Sequence, residues 1–349
     1  MEGDRNKSII IALELLRASL IDDILQVTKF EDISDLDWQC AMDLLRKHGL
    51  AAVTFTSIEK LPHNLRPSKE LILIWIGLKM QQERQYSLRR KAIDSLIYLW
   101  SDASLKVVEL KGNSIGRYYP KPELRYSCDF DSFLLENDAI GVSGYERGNQ
   151  IVESAGISVK RDFYKNSSFY WKGVFVENHQ FCTPVRGNRA MKNLERTLRT
   201  ILGTADFNAL FLMEHMWSHF FEDALTLKQL ADWMVMRKYC WRDVDEQLFE
   251  CEARACGFWH FAESINMITD TLLAGGEMQF SDKATERLWQ SILRGGGSVR
   301  MNNGWRTRFQ LIGNYFSARW KYCEFSNHGA LFTLIRTCVA FVFDRNPAI

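Results

Sequence analysis

Leu105-Lys106-Val107-Val108-Glu109-Leu110-Lys111-Gly112, followed downstream by Asp129-Phe130-Asp131, is the stretch that decides the fold. Lys106 to Leu110 is a short β-branched run stopped by Lys111-Gly112, which reads as a strand and a tight turn. Asn113 can cap a short helix through Tyr119, closed by Pro120 and Pro122. Cys128 to Leu135 reads as a second strand, and the spacing of Asp129 and Asp131 puts both side chains on one of its faces. Two carboxylates so close repel each other unless a cation sits between them. Mg²⁺ commonly binds through one or two carboxylates together with phosphate oxygens and water. An Asp-x-Asp triplet alone is a weak signal, since most such triplets sit in solvated turns. Its place behind a strand, a Lys-Gly turn and a helix is what gives it weight.

Outward from that stretch, residues 138 to 155 read as a helix interrupted by Gly141, Gly144 and Gly148. Ser168 to Trp171 and Val174 to His179 read as two strands of a hairpin around Lys172-Gly173. On the second of these, Glu177 and His179 share a face. Residues 1 to about 100 read as helices: Ile9, Leu13, Leu16 and Leu20 recur near helical spacing. Asp35-Leu36-Asp37 offers a helix start before Trp38 to His48, with Gly49 as the stop. A long amphipathic stretch, Ser68 to Trp100, carries Gln81, Gln82, Arg84, Arg89, Arg90 and Lys91, which read as a solvated helix face. From Asn188 the pattern is helical to the end, broken by the loop Arg294-Gly295-Gly296-Gly297-Ser298. The expected fold is α+β: a small mixed-sheet core at 101–186 between an N-terminal helical region, 1–100, and a C-terminal helical domain, 187–349.

The composition fits that layout. Of 349 residues, 46% are hydrophobic, enough for a sizeable core, and 11 tryptophans against 6 prolines favour a helical, well-packed chain. The formal charge of +1 supplies no global field toward nucleic acid or an anionic membrane. Eight cysteines are scattered without a Cys-x-x-Cys pair, so a zinc site is not expected. Leu331 to Phe343, the longest late apolar run, is too short to span a bilayer and contains Arg336. These features favour a reduced, cytoplasmic protein.

The chemistry concentrates in the central region. Gly112 would let a phosphate approach the backbone, and Lys111 could pair with it. Glu177, on a neighbouring strand, would add a third carboxylate to Asp129 and Asp131 and complete a two-metal site. His215 and His219, four apart, share a helix face without completing a known zinc spacing.

Leu110-Lys111-Gly112, Tyr119-Pro120, Arg125, Asp129-Phe130-Asp131 and Glu177-Asn178-His179 together resemble a bacterial "uncharacterised nucleotidyltransferase" family of the DNA polymerase β-like superfamily. His215, His219, Leu227-Lys228-Gln229-Leu230 and Asp232-Trp233 resemble a helical signature of the same proteins. The resemblance implies a Mg²⁺-dependent enzyme, with one or two ions and Mn²⁺ as a substitute, that binds NTP. By position, Asp129, Asp131 and Glu177 would be the catalytic metal ligands. Lys111, Gly112, Asn113, Ser114, Arg125, His179 and His215 would serve the nucleotide.

Five residues depart from the family pattern, one of them Cys128, which stands where Gly or Ser often precedes the first Asp. Asn113 and Ser114 follow Gly112 where Gly-Ser or Gly-Gly is usual. Glu109 is polar for its strand, and Asn178 interrupts an apolar position. The expected activity is transfer of NMP from NTP to a small-molecule, peptide or protein hydroxyl, with long nucleic acid disfavoured by the neutral charge. The alternative is a catalytically degenerate nucleotide-binding regulator or antitoxin-like protein.

Overall fold

The β-branched run and the alternating segments do pair into one sheet. The computed structural model describes residues 2–136, 144–161, 166–183, 189–222, 224–295 and 319–326. Its strands are β1 (Leu105–Glu109), β2 (Asp129–Glu136), β3 (Lys160–Arg161), β4 (Asn166–Trp171) and β5 (Val174–His179), in the order β1-β2-β5-β4-β3. The β2–β5 pair is parallel, and β1–β2, β4–β5 and β3–β4 are antiparallel, so the sheet is mixed. A parallel pair requires a crossover between its strands. Here β3, β4 and a helix supply it. The hairpin turn Lys172-Gly173 has positive φ at both residues, +48° and +85°, as a two-residue turn matched to strand twist requires.

Helices α1 (Glu2–Ile21), α2 (Asp35–Lys47), α3 (Ala51–Ile58) and α4 (Lys69–Asp102) precede the sheet. The expected start of α2 carries a capping box: Ser34 accepts from the Asp37 N–H and donates to its carboxylate. The short helix after β1 is α5 (Lys111–Gly116). It begins two residues before Asn113, with Leu110 at its N-cap, so Asn113 is not the cap. Within the expected helix at 138–155 the structure gives α6 (Tyr145–Ser154). The C-terminal helices are α7 (Arg189–Thr200), α8 (Ala205–Glu222), α9 (Leu227–Val235), α10 (Glu246–Cys256), α11 (Trp259–Leu273) and α12 (Lys283–Arg294). Gly141, Gly296, Gly297, Ser298 and the run Leu331 to Phe343 lie outside the described residues.

Strand alternation sorts the two faces. Phe130 and Leu134 of β2, with Val174 and Val176 of β5, pack against Leu96 and Trp100 of α4 and Val152 of α6. The opposite face carries Asp129, Asp131 and Phe133. Phe133 joins a larger cluster that contains helices from both ends of the chain, among them Leu15 of α1, Trp233 of α9 and Phe261 of α11.

Gly148 on α6 has a packing reason. A Cβ there would overlap the Leu134 side chain, while its carbonyl accepts the Trp100 indole N–H at 3.1 Å. The substitution Gly148→Ala is expected to cost about 1–3 kcal/mol, the usual range for overpacking. Urea denaturation checks this, and a variant as stable as the parent would exclude the close packing of α6 on β2.

Candidate active site

Register puts the acidic residues side by side. In the parallel β2–β5 pair Asp131 stands opposite Glu177, Asp129 opposite Phe175, and Phe133 opposite His179. Asp131, Glu177 and His179 each direct one ligand atom into a common space, all within 4.8 Å of one another. Asp129 shares their face, one step toward the start of β2, and is half-buried. It is outside that group of three.

Asp131 is the centre of the arrangement and is almost fully buried. Its Oδ1 accepts a hydrogen bond from Lys111 Nζ at 2.6 Å and one from His179 Nε2 at 2.9 Å. An ionised carboxylate only accepts, so Nε2 carries the imidazole proton. Nδ1 of His179 is buried and, among the described residues, has no hydrogen-bond partner. Glu177 Oε2 lies 3.5 Å from both Lys111 Nζ and His179 Nε2.

Burial would raise both carboxyls. The Lys111 ammonium and the His179 hydrogen bond overcome it and hold Asp131 well below the usual carboxylate range. Glu177 is lowered against its own burial by the His179 hydrogen bond and the Lys111 charge. Burial likewise opposes the charge on Lys111, yet the two carboxylates raise its pKa. All three groups are therefore charged in the neutral range. Two carboxylate oxygens that face one space are a donor set that fits a hard divalent cation such as Mg²⁺ or Mn²⁺, with the His179 N–H orienting Asp131 beside it.

The remaining motif residues form a second constellation beside the first. Arg125 lays its guanidinium on Asp232 of α9, Nε to Oδ1 at 2.8 Å and Nη2 to Oδ2 at 2.7 Å. The Tyr119 hydroxyl donates to the same Oδ1 at 2.7 Å. All three residues are buried. Burial opposes the Arg125 charge, but Asp232 raises its pKa above the ordinary guanidinium value. A Cβ on Gly112 would overlap the Arg125 guanidinium. Gly112, Tyr119, Arg125 and Asp232 thus constitute one buried clamp, which joins the turn after β1 to a helix 107 residues downstream of Arg125.

Two of the departures from the family pattern have structural explanations. Asn178 points to the face away from Asp131, where its Nδ2 donates to the Tyr145 carbonyl at 3.1 Å and to Asn149 Oδ1 at 2.9 Å. Glu109 pairs with Arg90 of α4 at 3.3 Å. Ser114 donates to the Lys111 carbonyl at 2.8 Å, so its hydroxyl braces the turn. His215 is half-buried on α8, stacked on Phe211 with its ring centroid 4.3 Å from that of His219, and it is not in the carboxylate group.

Gly112, Asn113, Ser114 and Arg125 line a cavity of about 380 Å³ between α4, β1 and α5, together with Arg89 and Arg90. Arg89 also lines a second cavity, of about 770 Å³, between α4 and the β4–β5 turn. Among the described residues Arg89 has no hydrogen-bond or ion-pair partner. Burial lowers its pKa, partly offset by Cys128, Tyr126 and Asp129. The sequence reading assigns Arg89 and Gln82 to a solvated face. Instead Arg89 is half-buried, and Gln82 is buried and donates to the Arg125 carbonyl at 2.9 Å. Only the absence of a neighbouring acid on the helix could have marked Arg89.

A mixed sheet flanked by helices, with a carboxylate–imidazole group on its central parallel strands, defines an α+β protein with a candidate metal centre. The chain belongs to a family described as uncharacterised nucleotidyltransferase, whose model matches residues 34–274. The match covers the helices from α2 onward, the whole sheet and the helices through α11. No curated protein and no solved structure matches the chain. Among the described residues no helix is long and apolar enough to cross a membrane.

Proposed function

We propose that the protein transfers NMP from NTP to an acceptor hydroxyl with release of pyrophosphate, using one or two Mg²⁺ ions for which Mn²⁺ can substitute. The carrying observation is the convergence of Asp131, Glu177 and His179 on one space, in a chain of a nucleotidyltransferase family. Asp131 and Glu177 would hold the cation, with Asp129 the ligand to a second. The metal supplies charge neutralisation on the phosphoryl oxygens and activation of the attacking hydroxyl.

The chain's own residues do the rest. Buried His179 donates to Asp131 and fixes the orientation of its carboxylate. Lys111 meets developing negative charge at the phosphates. Arg125, spent on Asp232, is a positioning residue that holds the Lys111–Gly112 turn in place. The arginine-lined cavity beside Asn113 and Ser114 supports a triphosphate site, with Arg89 as the guanidinium in want of an anion. The near-zero net charge supports a small-molecule, peptide or protein acceptor over long nucleic acid.

Incubation with α-labelled NTPs and cell extract, with and without Mg²⁺, tests the reading. Label transfer that depends on Mg²⁺ and on Asp131 supports it, and metal-independent transfer sinks it. Arg89→Gln is expected to raise the KM for NTP roughly tenfold with a smaller change in kcat, the pattern of a lost ground-state phosphate contact. A KM equal to that of the parent would remove Arg89 from the site.

The second reading, a degenerate nucleotide-binding regulator or antitoxin-like protein, has one observation in its favour. The Lys111 ammonium already offsets the carboxylates, so the site can fold without a metal.

A further inference from the structure

Two nitrogens share the same two carboxylates. Lys111 Nζ is 2.6 Å from Asp131 Oδ1 and 3.5 Å from Glu177 Oε2, and His179 Nε2 is 2.9 Å and 3.5 Å from those same oxygens. The imidazole is fully buried on β5, whereas the ammonium ends a flexible four-carbon stem whose side chain is 13% exposed. A cation bound to both Asp131 and Glu177 would need the space within reach of both, which is where Nζ sits. The charge count favours an exchange. Two carboxylates and one ammonium leave a net negative charge, and a divalent cation in place of the ammonium cancels it.

The backbone at Lys111 is already committed. Its φ of +47° lies in the left-handed region, which residues other than glycine seldom occupy. Ser114 hydrogen-bonds its carbonyl, and the next residue, Gly112, is packed against the Arg125 guanidinium. Strained conformations persist where the surroundings over-determine them, and this clamp does so here. Relocation of the ammonium is then a rotation of the side chain about a fixed turn.

We propose that Lys111 is a displaceable counter-ion: in the nucleotide-free protein its ammonium holds the place of the divalent cation, and it passes to the phosphate oxygens when NTP and metal enter. This rests on the metal-centre reading above and adds an order to it. The free protein binds metal weakly, and nucleotide binding opens the carboxylate pair to the cation. Until then the ammonium screens Asp131 and Glu177 from each other.

The test is Mn²⁺ binding to the nucleotide-free protein, read by electron paramagnetic resonance, with unfolding temperature as a check on each variant. Lys111→Met removes the ammonium. Lys111→Gly removes it and also suits the left-handed backbone, so it is the variant free of backbone strain at this turn. Both are expected to bind Mn²⁺ at least about tenfold more tightly than the parent, the scale of a close charge-pair contribution. Adding Asp131→Asn to Lys111→Gly is expected to abolish the gain. Mn²⁺ affinity unchanged or weakened in both lysine variants overturns the exchange, and if Asp131→Asn alone still weakens binding, the metal centre survives that result. Binding indifferent to Lys111 and Asp131 alike overturns the metal centre and the exchange together.

Discussion

Asp131→Asn lowers nucleotidyl transfer by roughly 10²–10³-fold, the scale seen when one preorganised electrostatic group is removed from an active site. The side chain keeps its size, and asparagine can still accept the His179 hydrogen bond. What it loses is the charge shared by Lys111 and a cation, in a nearly dry position where charge counts most. Asp129→Asn is the informative companion. Asp129 lies outside the three-residue group, so its loss leaves Mn²⁺ affinity of the nucleotide-free protein unchanged while transfer still falls. Transfer of α-labelled NMP and Mn²⁺ titration, run on the same preparations, separate the two carboxylates. Parental transfer by Asp131→Asn would remove the proposed catalytic centre. A loss of nucleotide-free Mn²⁺ binding in Asp129→Asn would mean that the first ion sits between the two aspartates instead.

Arg125→Met and Asp232→Asn each destabilise the protein by about 3–5 kcal/mol, because each leaves a buried charge without its partner. The two side chains are 6% and 5% exposed, so the surviving charge has little water to turn to. Arg125→Lys does not rescue the loss. The fork that places Nε and Nη2 on two carboxylate oxygens has no equivalent in an ammonium. The double variant Arg125→Met/Asp232→Leu is less destabilised than the two single effects added together, since removing both charges also removes the desolvation penalty. Urea denaturation measures all four variants. A single-variant cost below about 1 kcal/mol, the range of exposed pairs, would show that the clamp is solvated.

Much of the sheet was legible because its signals are local. The Val107-Val108 run, the alternation through Asp129-Phe130-Asp131 and the Lys172-Gly173 turn act within a few residues. β1, β2, β4 and β5 fall within two residues of the expected bounds. β3 has two residues and no pattern of its own, and only pairing with β4 creates it.

The site was legible in its residue types more than in its geometry. Glu177 could be placed beside Asp131 only by supposing a neighbouring strand, and the parallel register supplies that neighbour. Nothing local in the sequence reveals that the His179 ring reaches a carboxylate 48 residues away. Arg125 and Asp232 carry no mutual signal across 107 positions, so the clamp between them is not legible in the sequence. Asn178 interrupts an apolar position on a strand whose two faces are both buried at its end. Period-two alternation sends it to the other side, where α6 receives it.

The parallel pairing of β2 and β5 has a consequence for changes in chain length. Everything between those strands (α6, β3 and β4) departs from the sheet centre and returns to it. α6 covers the face opposite Asp131, and β4 and β3 extend the sheet beyond β5. The carboxylates are fixed by two strands that touch directly, so the length of that excursion is not a parameter of the centre. A change in the length of that excursion that keeps α6 packed on β2 leaves Asp131 paired with Glu177.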